Sequence, residues 1–362
     1  MSEKIIIRQA EYTEHHRIIS YLQINWRANH VFTQSPEFFV WQHADSENLH
    51  LLTYVIAEKI TAQGSEIIGI LGYMPFRRFD INLESNSLSL AIWHVKKDAG
   101  TPGLGLQLLN WLKKNKTPDF IAAIGLSKMV IPIYQAFRYT LGKLHQSALF
   151  GPSPTNLEIA SGVPDDAFRP LPLNPSIELR ALKRSDDENK NLHSCINRLG
   201  NTVIPVKSWK YLVERFFEHP LYKYNIYAVL EDNEISAILV LRVVQVTLST
   251  GLHRVLRIID MLGPSEMLAK AAPALQRLIA KHESEYLDVM QSGINPEILR
   301  ASGFIDSELI PDLVLPNYFE PFEKKNIELK IAFKYIHQEQ HRSIRLMRAD
   351  SDQDRPSQIP IK

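Results

Sequence analysis

One cysteine in 362 residues, Cys195, leaves no partner for an internal disulfide. No cluster of Cys and His has the spacing of a zinc site, so no metal is expected. An excess of either charge is missing too: 41 Lys and Arg stand against 40 Asp and Glu, a formal net charge of +1. That balance gives no field to gather nucleic acid or an anionic lipid surface, so neither a nucleic-acid partner nor membrane insertion is expected. No apolar run approaches the roughly 20 residues of a membrane span. The start, Met1-Ser-Glu-Lys-Ile-Ile-Ile7, has three apolar residues in a row, too few for the core of a secretory signal. The expectation is a cytoplasmic globular protein long enough for two domains.

What is present is one pattern, written twice. Residues 4–10 alternate as a strand, and Thr13 caps an apolar helical stripe over 13–26. Pro36 opens a short second helix. Strands are expected near 51–60, 66–76 and 87–97, then a glycine-rich turn and a helix to about Lys114. A buried strand (119–126), a helix (128–137) and a last strand (139–150) complete the set. Six prolines between 152 and 175 break any regular element, which marks a linker. The pattern then restarts: Ile177-Glu-Leu-Arg-Ala-Leu182 echoes Ile5-Ile-Ile-Arg-Gln-Ala10. The offset is 172 at Arg8/Arg180 and 165 at Tyr139/Phe304. A nearly constant offset over a whole domain argues for tandem duplication. The expected division is a domain at 1–150, a linker at 151–175, a second domain at 176–348 and an acidic tail at 349–362.

The most informative stretch runs from Val95 to Leu109. Gly100, Gly103 and Gly105 sit between a strand and a helix, where bare backbone comes close to a ligand. The unpaired N–H groups of the helix start and the positive end of its dipole face the same point, a cradle for phosphate. It is not a P-loop, which would end Gly-Lys-Ser/Thr where this turn has Gly105-Leu106-Gln107. A Rossmann fingerprint would lie on the first strand, whereas about ninety residues precede this turn.

The order strand, two helices, three strands, glycine turn, helix, strand, helix, strand resembles the GNAT acyltransferase fold. Gly100-Thr-Pro-Gly103-Leu104-Gly105 matches that family's Arg/Gln-x-x-Gly-x-Gly/Ala motif in spacing and in both later glycines, with Gly100 in place of Arg or Gln. Tyr134-Gln-Ala-Phe-Arg-Tyr139 resembles its Tyr-x-x-x-Gly-Phe pattern, with Arg138 in place of the glycine. The resemblance implies an α/β (α+β) chain of two tandem GNAT-like domains, each a mixed, mostly antiparallel sheet flanked by helices. It implies acetyl-CoA or another acyl-CoA as cofactor. The pyrophosphate would rest on Gly103, Leu104 and Gly105 behind Gly100, and the pantetheine arm would lie along Val95. Tyr134 would protonate the departing thiolate, since a phenol keeps its proton at neutral pH. His94, on the strand leading into the turn, is the first candidate for general base, ahead of Glu58 and Glu66.

The second copy departs at the same points: Asp260-Met-Leu-Gly-Pro-Ser-Glu266 replaces the glycine turn and Leu299 replaces Tyr134. Cofactor and chemistry are therefore assigned to the first domain. The segment Pro316-Asn-Tyr-Phe-Glu-Pro-Phe322 and the Asp-x-Asp-x-Asp-Arg-Pro tail resemble the end of tandem GNAT-like proteins found among bacterial surface-polysaccharide genes. In that reading Asp350, Asp352 and Asp354 would hold the ammonium and hydroxyls of an amino-sugar substrate. Glu285, on the expected fifth strand of the second copy, is a further substrate-binding candidate. A Fem-type aminoacyl transferase and a non-catalytic GNAT-fold binding module are the alternatives. The tail lacks the glycine and closing glutamate of an EF-hand loop.

Overall fold

The computed structural model describes residues 3–153, 157–336 and 342–357. The described parts of 1–140, 332–340 and 351–362 form one compact unit, those of 141–331 and 341–350 another.

In unit 1, β1 (Lys4–Glu11) leads to three helices, α1 (His15–Asn25), α2 (Val31–Gln34) and α3 (Pro36–His43). Pro36 stands in the first turn of α3, where its missing N–H costs nothing, and Ser35 caps it by accepting from Phe38 N. The chain then runs through β2 (Leu51–Thr61), β3 (Gly64–Pro75) and β4 (Ser87–Val95) to α4 (Leu104–Lys116), β5 (Phe120–Ile124) and α5 (Ile131–Ala136). Leu104, Leu108, Leu109 and Leu112 make the buried stripe of α4. Lys113, Lys114 and Lys116 sit at its negative end. β1 to β4 pair antiparallel in sequence order, and β4 and β5 pair parallel. Next to β5 stands the strand Lys330–Tyr335, whose residues from 332 onward belong to this unit.

The chain passes into unit 2 within β6 (Thr140–Lys143). There follow β7 (His145–Phe150), β8 (Ile177–Leu182), α6 (Lys190–Gly200), β9 (Val203–Ile204), α7 (Trp209–Leu212), β10 (Asn225–Glu231), β11 (Glu234–Leu248), β12 (Gly251–Leu262), α8 (Glu266–Lys270), α9 (Ala272–Lys281), β13 (Tyr286–Ser292) and α10 (Pro296–Ala301). The main sheet runs β8-β10-β11-β12-β13-β7, then Ile305–Asp306, again antiparallel except for parallel β12 and β13. Its core is a continuous apolar cluster that includes Leu239, Ile258, Leu275 and Val289.

Both sheets are mixed, mostly antiparallel and flanked by helices, as the resemblance implies. Their last strands are where the sequence misleads. The stretch 139–150 was expected as one strand closing the first domain. It breaks at Leu144, and β7 pairs along its whole length with β13, from Tyr286↔Phe150 to Gln291↔His145. In each sheet the place beside the second parallel strand is filled from the other half of the sequence. The boundary between compact units falls at Thr140/Leu141 and not at 150. Pairing geometry decides where β7 goes, and no local pattern in 139–150 records it. The expected helix at 264–282 is two, α8 and α9, with Pro273 in the first turn of α9. Among the described residues no helix is long and apolar enough to cross a membrane.

Candidate active site

β4 and β5 pair only from Ser87↔Phe120 to Leu90↔Ala123, although β4 continues to Val95. The cause is a bulge. β3 and β4 are in register at Leu71↔Trp93 and again at Tyr73↔Leu90, so Ala91 and Ile92 together oppose Gly72. The extra residue bends β4 away from β5 and leaves a gap with one bare strand edge. Lys96 N donates to Ile68 O on β3 at 2.9 Å. By the alternation of a strand ladder, the Val95 N–H one residue earlier turns away from β3, into the gap.

The glycine turn closes the far end of that gap. Gly100 (φ 68°) and Gly103 (φ 75°) are both left-handed, and Gly103 is the N-cap residue of α4. Apart from its chain neighbours, no atom of the described residues lies within 4 Å of where a Cβ would stand on either, so the backbone there is open. At Gly105 a Cβ would come within 3.2 Å of Trp93 Nε1, which explains the third glycine by close approach of α4 to β4. Leu104 N–H donates to Thr101 O at 3.3 Å and is spent within the turn. Leu104 therefore leaves the expected phosphate-binding set. The N–H groups of Gly105 and Leu106, in the first turn of a 13-residue helix, donate to no backbone carbonyl among the described residues.

Tyr134 lies on α5, 2% exposed, with its ring against Trp93 and Tyr139 at 6.2 and 5.0 Å between centroids. Its hydroxyl has no hydrogen bond among the described residues, and burial holds its pKa well above the ordinary phenol value. Arg138, the replacement for glycine, adopts φ 56°, so the left-handed helix end that glycine normally supplies is still made. His94 faces the other way. Its Nδ1 lies 2.9 Å from Tyr21 Oη, and its ring packs on Tyr21 and Trp26, the residues of α1 and its end. Neighbouring residues of a strand point to opposite faces, so Trp93, Gly105 and Tyr134 share the α4 face and His94 stands on the α1 face. Burial, with Lys97 nearby, holds the His94 pKa below its ordinary value.

The structure withdraws the other two bases. Glu58 accepts from Arg17 at 2.7 Å and Arg8 at 2.9 Å; burial alone would raise its carboxyl, but those partners hold it below the usual range. Glu66 is paired with Lys96. Glu285 is corrected as well. It is 6% exposed and accepts from the N–H groups of Glu158, Ile159 and Ala160 and from His253, so it anchors a loop and has no capacity for a ligand. The three tail aspartates part company. Asp350 belongs to unit 2, with Lys207 Nζ at 2.6 Å. Asp352 and Asp354 belong to unit 1. Asp354 is 1% exposed and already engaged within the protein.

Sequence reasoning missed Tyr21, Tyr54 and Gln353. Gln353 Nε2 donates to Ile124 O, at the end of β5 where the gap begins, at 3.3 Å. A signal existed for the bulge: Gly72, alone inside an apolar strand pattern, marks a close backbone approach or an irregularity.

No protein-family model and no curated protein sequence matches the chain. Among solved structures it is similar to a GCN5-related N-acetyltransferase from Anabaena variabilis, at 10% identity and a TM-score of 0.52, over 92% of this chain and 73% of that one. A Saccharomyces cerevisiae N-myristoyltransferase with bound myristoyl-CoA aligns at 10% identity over 91% of this chain and 79% of that one, with a TM-score of 0.47. The parallel pair that parts at a bulge, in front of a glycine-started helix, thus sits in a chain whose fold is that of the GCN5-related acetyltransferases.

Proposed function

We propose that unit 1 is an acyl-CoA-dependent N-acyltransferase, acetyl-CoA being the first candidate donor. The observation that carries the reading is the gap between β4 and β5, faced by the Val95 N–H and ended by the left-handed Gly103 at the start of α4. The resemblance to an N-acetyltransferase supports it at the level of fold. The bare backbone at Gly100 and Gly103 and the free first-turn N–H groups of α4 suit a pyrophosphate. Loss of the motif's first Arg or Gln removes one side-chain donor and leaves those N–H groups in place. An acyl-CoA supplies an acyl group activated as a thioester.

The chain's own groups then divide the work. Val95 N–H points where a carbonyl oxygen running along β4 would gain negative charge, and such a preset donor favours that change. Tyr134 Oη keeps its proton at neutral pH and holds it on the α4 face, available to a departing thiolate. His94, neutral at working pH, can take the proton of an amine at Nε2 when Nδ1–H donates to Tyr21 Oη. Acid and base lie on opposite faces of β4 because they serve opposite ends of the exchange. The acceptor is an amine, and an amino sugar from surface-polysaccharide assembly is the finer reading.

The test is calorimetry with acetyl-CoA. One molecule per chain should bind, and it should raise the melting temperature by about a few degrees. No binding up to millimolar acetyl-CoA overturns the reading.

A further inference from the structure

Three observations converge on the α1 face of unit 1. The Tyr54 side chain is fully buried beneath Phe39 and His43 of α3, and its hydroxyl has no hydrogen-bond partner among the described residues. Its tip lies against Gly72, where any Cβ would come within 3.0 Å of Tyr54 Oη, and Gly72 is the residue opposite the β4 bulge. The orphan hydroxyl therefore stands at the root of the gap. A fully buried phenol left without a partner is unfavourable, and a ligand group that pairs with it would relieve that cost.

The second observation is what the chain's end does. Ser351–Arg355 crosses this face. Gln353 Nε2 donates to the carbonyl of Ile124, and the next residue, Gly125 (φ 83°), takes the left-handed conformation that favours glycine, with a Cβ there reaching within 2.6 Å of Gln353 Nε2. The Arg355 guanidinium lies over Phe32 of α2, 5.7 Å from the ring centroid. The segment is thereby tied at its middle and at its end.

The third is Asp352, one residue before the first of those ties. It is 7% exposed, and Arg355 Nε donates to its Oδ2 at 3.3 Å, a long bond. Its Oδ1 has no hydrogen bond among the described residues. Burial and the Asp352 charge together push the Tyr54 hydroxyl far above its ordinary pKa, so Tyr54 is a neutral phenol with a lone pair to offer.

We propose that Asp352 and Tyr54 form the subsite for the acceptor's primary ammonium, with Asp352 Oδ1 as counter-charge and Tyr54 Oη as second hydrogen-bond acceptor. This assigns acceptor recognition to the tail of the chain and deepens the acyltransferase reading, on which the identity of the ligand as acceptor rests. It also separates Asp352, whose Oδ2 alone is paired, with Arg355, from Asp350, held by Lys207, and from Asp354, engaged within the protein.

The probe is glucosamine, with N-acetylglucosamine as its uncharged counterpart, measured by saturation-transfer NMR on the full-length protein. Glucosamine should bind and N-acetylglucosamine should bind at least about tenfold more weakly, since a charge-assisted pair is lost. Asp352→Asn should weaken glucosamine about tenfold or more, and Tyr54→Phe about threefold to tenfold. Neither should change the affinity for acetyl-CoA, which also shows that both variants fold. Equal glucosamine affinity in wild type and Asp352→Asn overturns the proposal, as does a wild type that does not bind glucosamine. Failure to bind acetyl-CoA with the glucosamine results as expected would overturn the acyltransferase reading and leave the ammonium site standing.

Discussion

The two units each part a pair of parallel strands, but among the described residues no strand pairs into one gap, the bare one, while the other is filled. In unit 2, β12 and β13 pair at Leu256↔Leu287 to Ile258↔Val289, and both then run on, to Leu262 and Ser292. There the edge of β13 is taken by the chain itself: Leu346 and Met347 pair antiparallel with Ser292 and Gln291. Gly293 (φ 109°) admits this strap, because a Cβ would lie 2.1 Å from Ile344 O. Arg345 donates to Gly263 O at 2.6 Å and to Ser265 Oγ at 2.8 Å, covering the turn that corresponds to the glycine cradle of unit 1. Lys207, 3% exposed, pairs at 2.6 Å with both Asp260 of β12 and Asp350 of the strap. Burial alone would lower the ammonium pKa, but two carboxylates outweigh it and hold the charge. One backbone opening thus serves two ends, and what differs is whether the sequence supplies its own occupant.

The largest expected effect tests the latch on the filled gap. Lys207→Met leaves Asp260 and Asp350 buried without their cation, which costs about 3–5 kcal/mol. Amide hydrogen exchange at Leu346, Met347 and the end of β13 should accelerate by about two to three orders of magnitude, with β4 and β5 unchanged. Unaltered exchange at Leu346–Met347 would mean that something other than this ion cluster keeps the second gap closed.

Next comes the bare gap. Gly103→Asp adds left-handed strain and a negative charge at the helix start, so acetyl-CoA affinity should fall by about 100-fold. If the filled gap takes no cofactor, calorimetry should show no residual site in this variant. A surviving full-affinity site would assign cofactor binding to unit 2 and reverse the comparison. Smaller in its effect on binding is Tyr134→Phe, in the unit that keeps the tyrosine. Turnover of acetyl-CoA with an amino-sugar acceptor should drop by about 100-fold, with the KM for acetyl-CoA within about threefold. Equal losses in kcat and binding would make Tyr134 a packing residue, as Leu299 is at the corresponding point of unit 2.

The bare gap was legible in the sequence to the extent that it is local. Glycines with positive φ, the helix stripe of α4 and the proline start of α3 each depend on a few adjacent residues, and each lies where the pattern put it. His94 was found but not its face, since the bulge at Ala91–Ile92 is set by what opposes it on β3. The filled gap was half legible. Pro264 and Glu266 told against phosphate, but the strap that fills the opening, Leu346–Met347, lies much further along the chain, beside β13. The exchanged strands, β7 and Lys330–Tyr335, were illegible for the same reason: the alternation that makes a strand says nothing about which sheet it joins. Asp350 and Asp352 look alike in a run of alternating acids, yet one closes a latch in unit 2 and the other lies in unit 1. Partners distant in sequence decide between such roles.

The smallest effect concerns pH and sharpens the role of the bare gap's α1 face. Burial, and secondarily Lys97, hold the His94 pKa below the ordinary value of 6.5. The acid limb of kcat/KM should therefore have its midpoint below 6.5, with activity lost as pH falls through it and constant above. Lys97 is exposed, so its field is screened and its share is small. Removing it in Lys97→Gln favours the protonated imidazole and should move the limb upward by a few tenths of a pH unit, on the order of 0.3. The sign is what matters. An upward shift ties the limb to a cation-sensitive group on this side of the sheet, as a His94 base requires. No shift, together with an intact limb in His94→Gln, would transfer the base role to another group and leave His94 as the partner of Tyr21 alone.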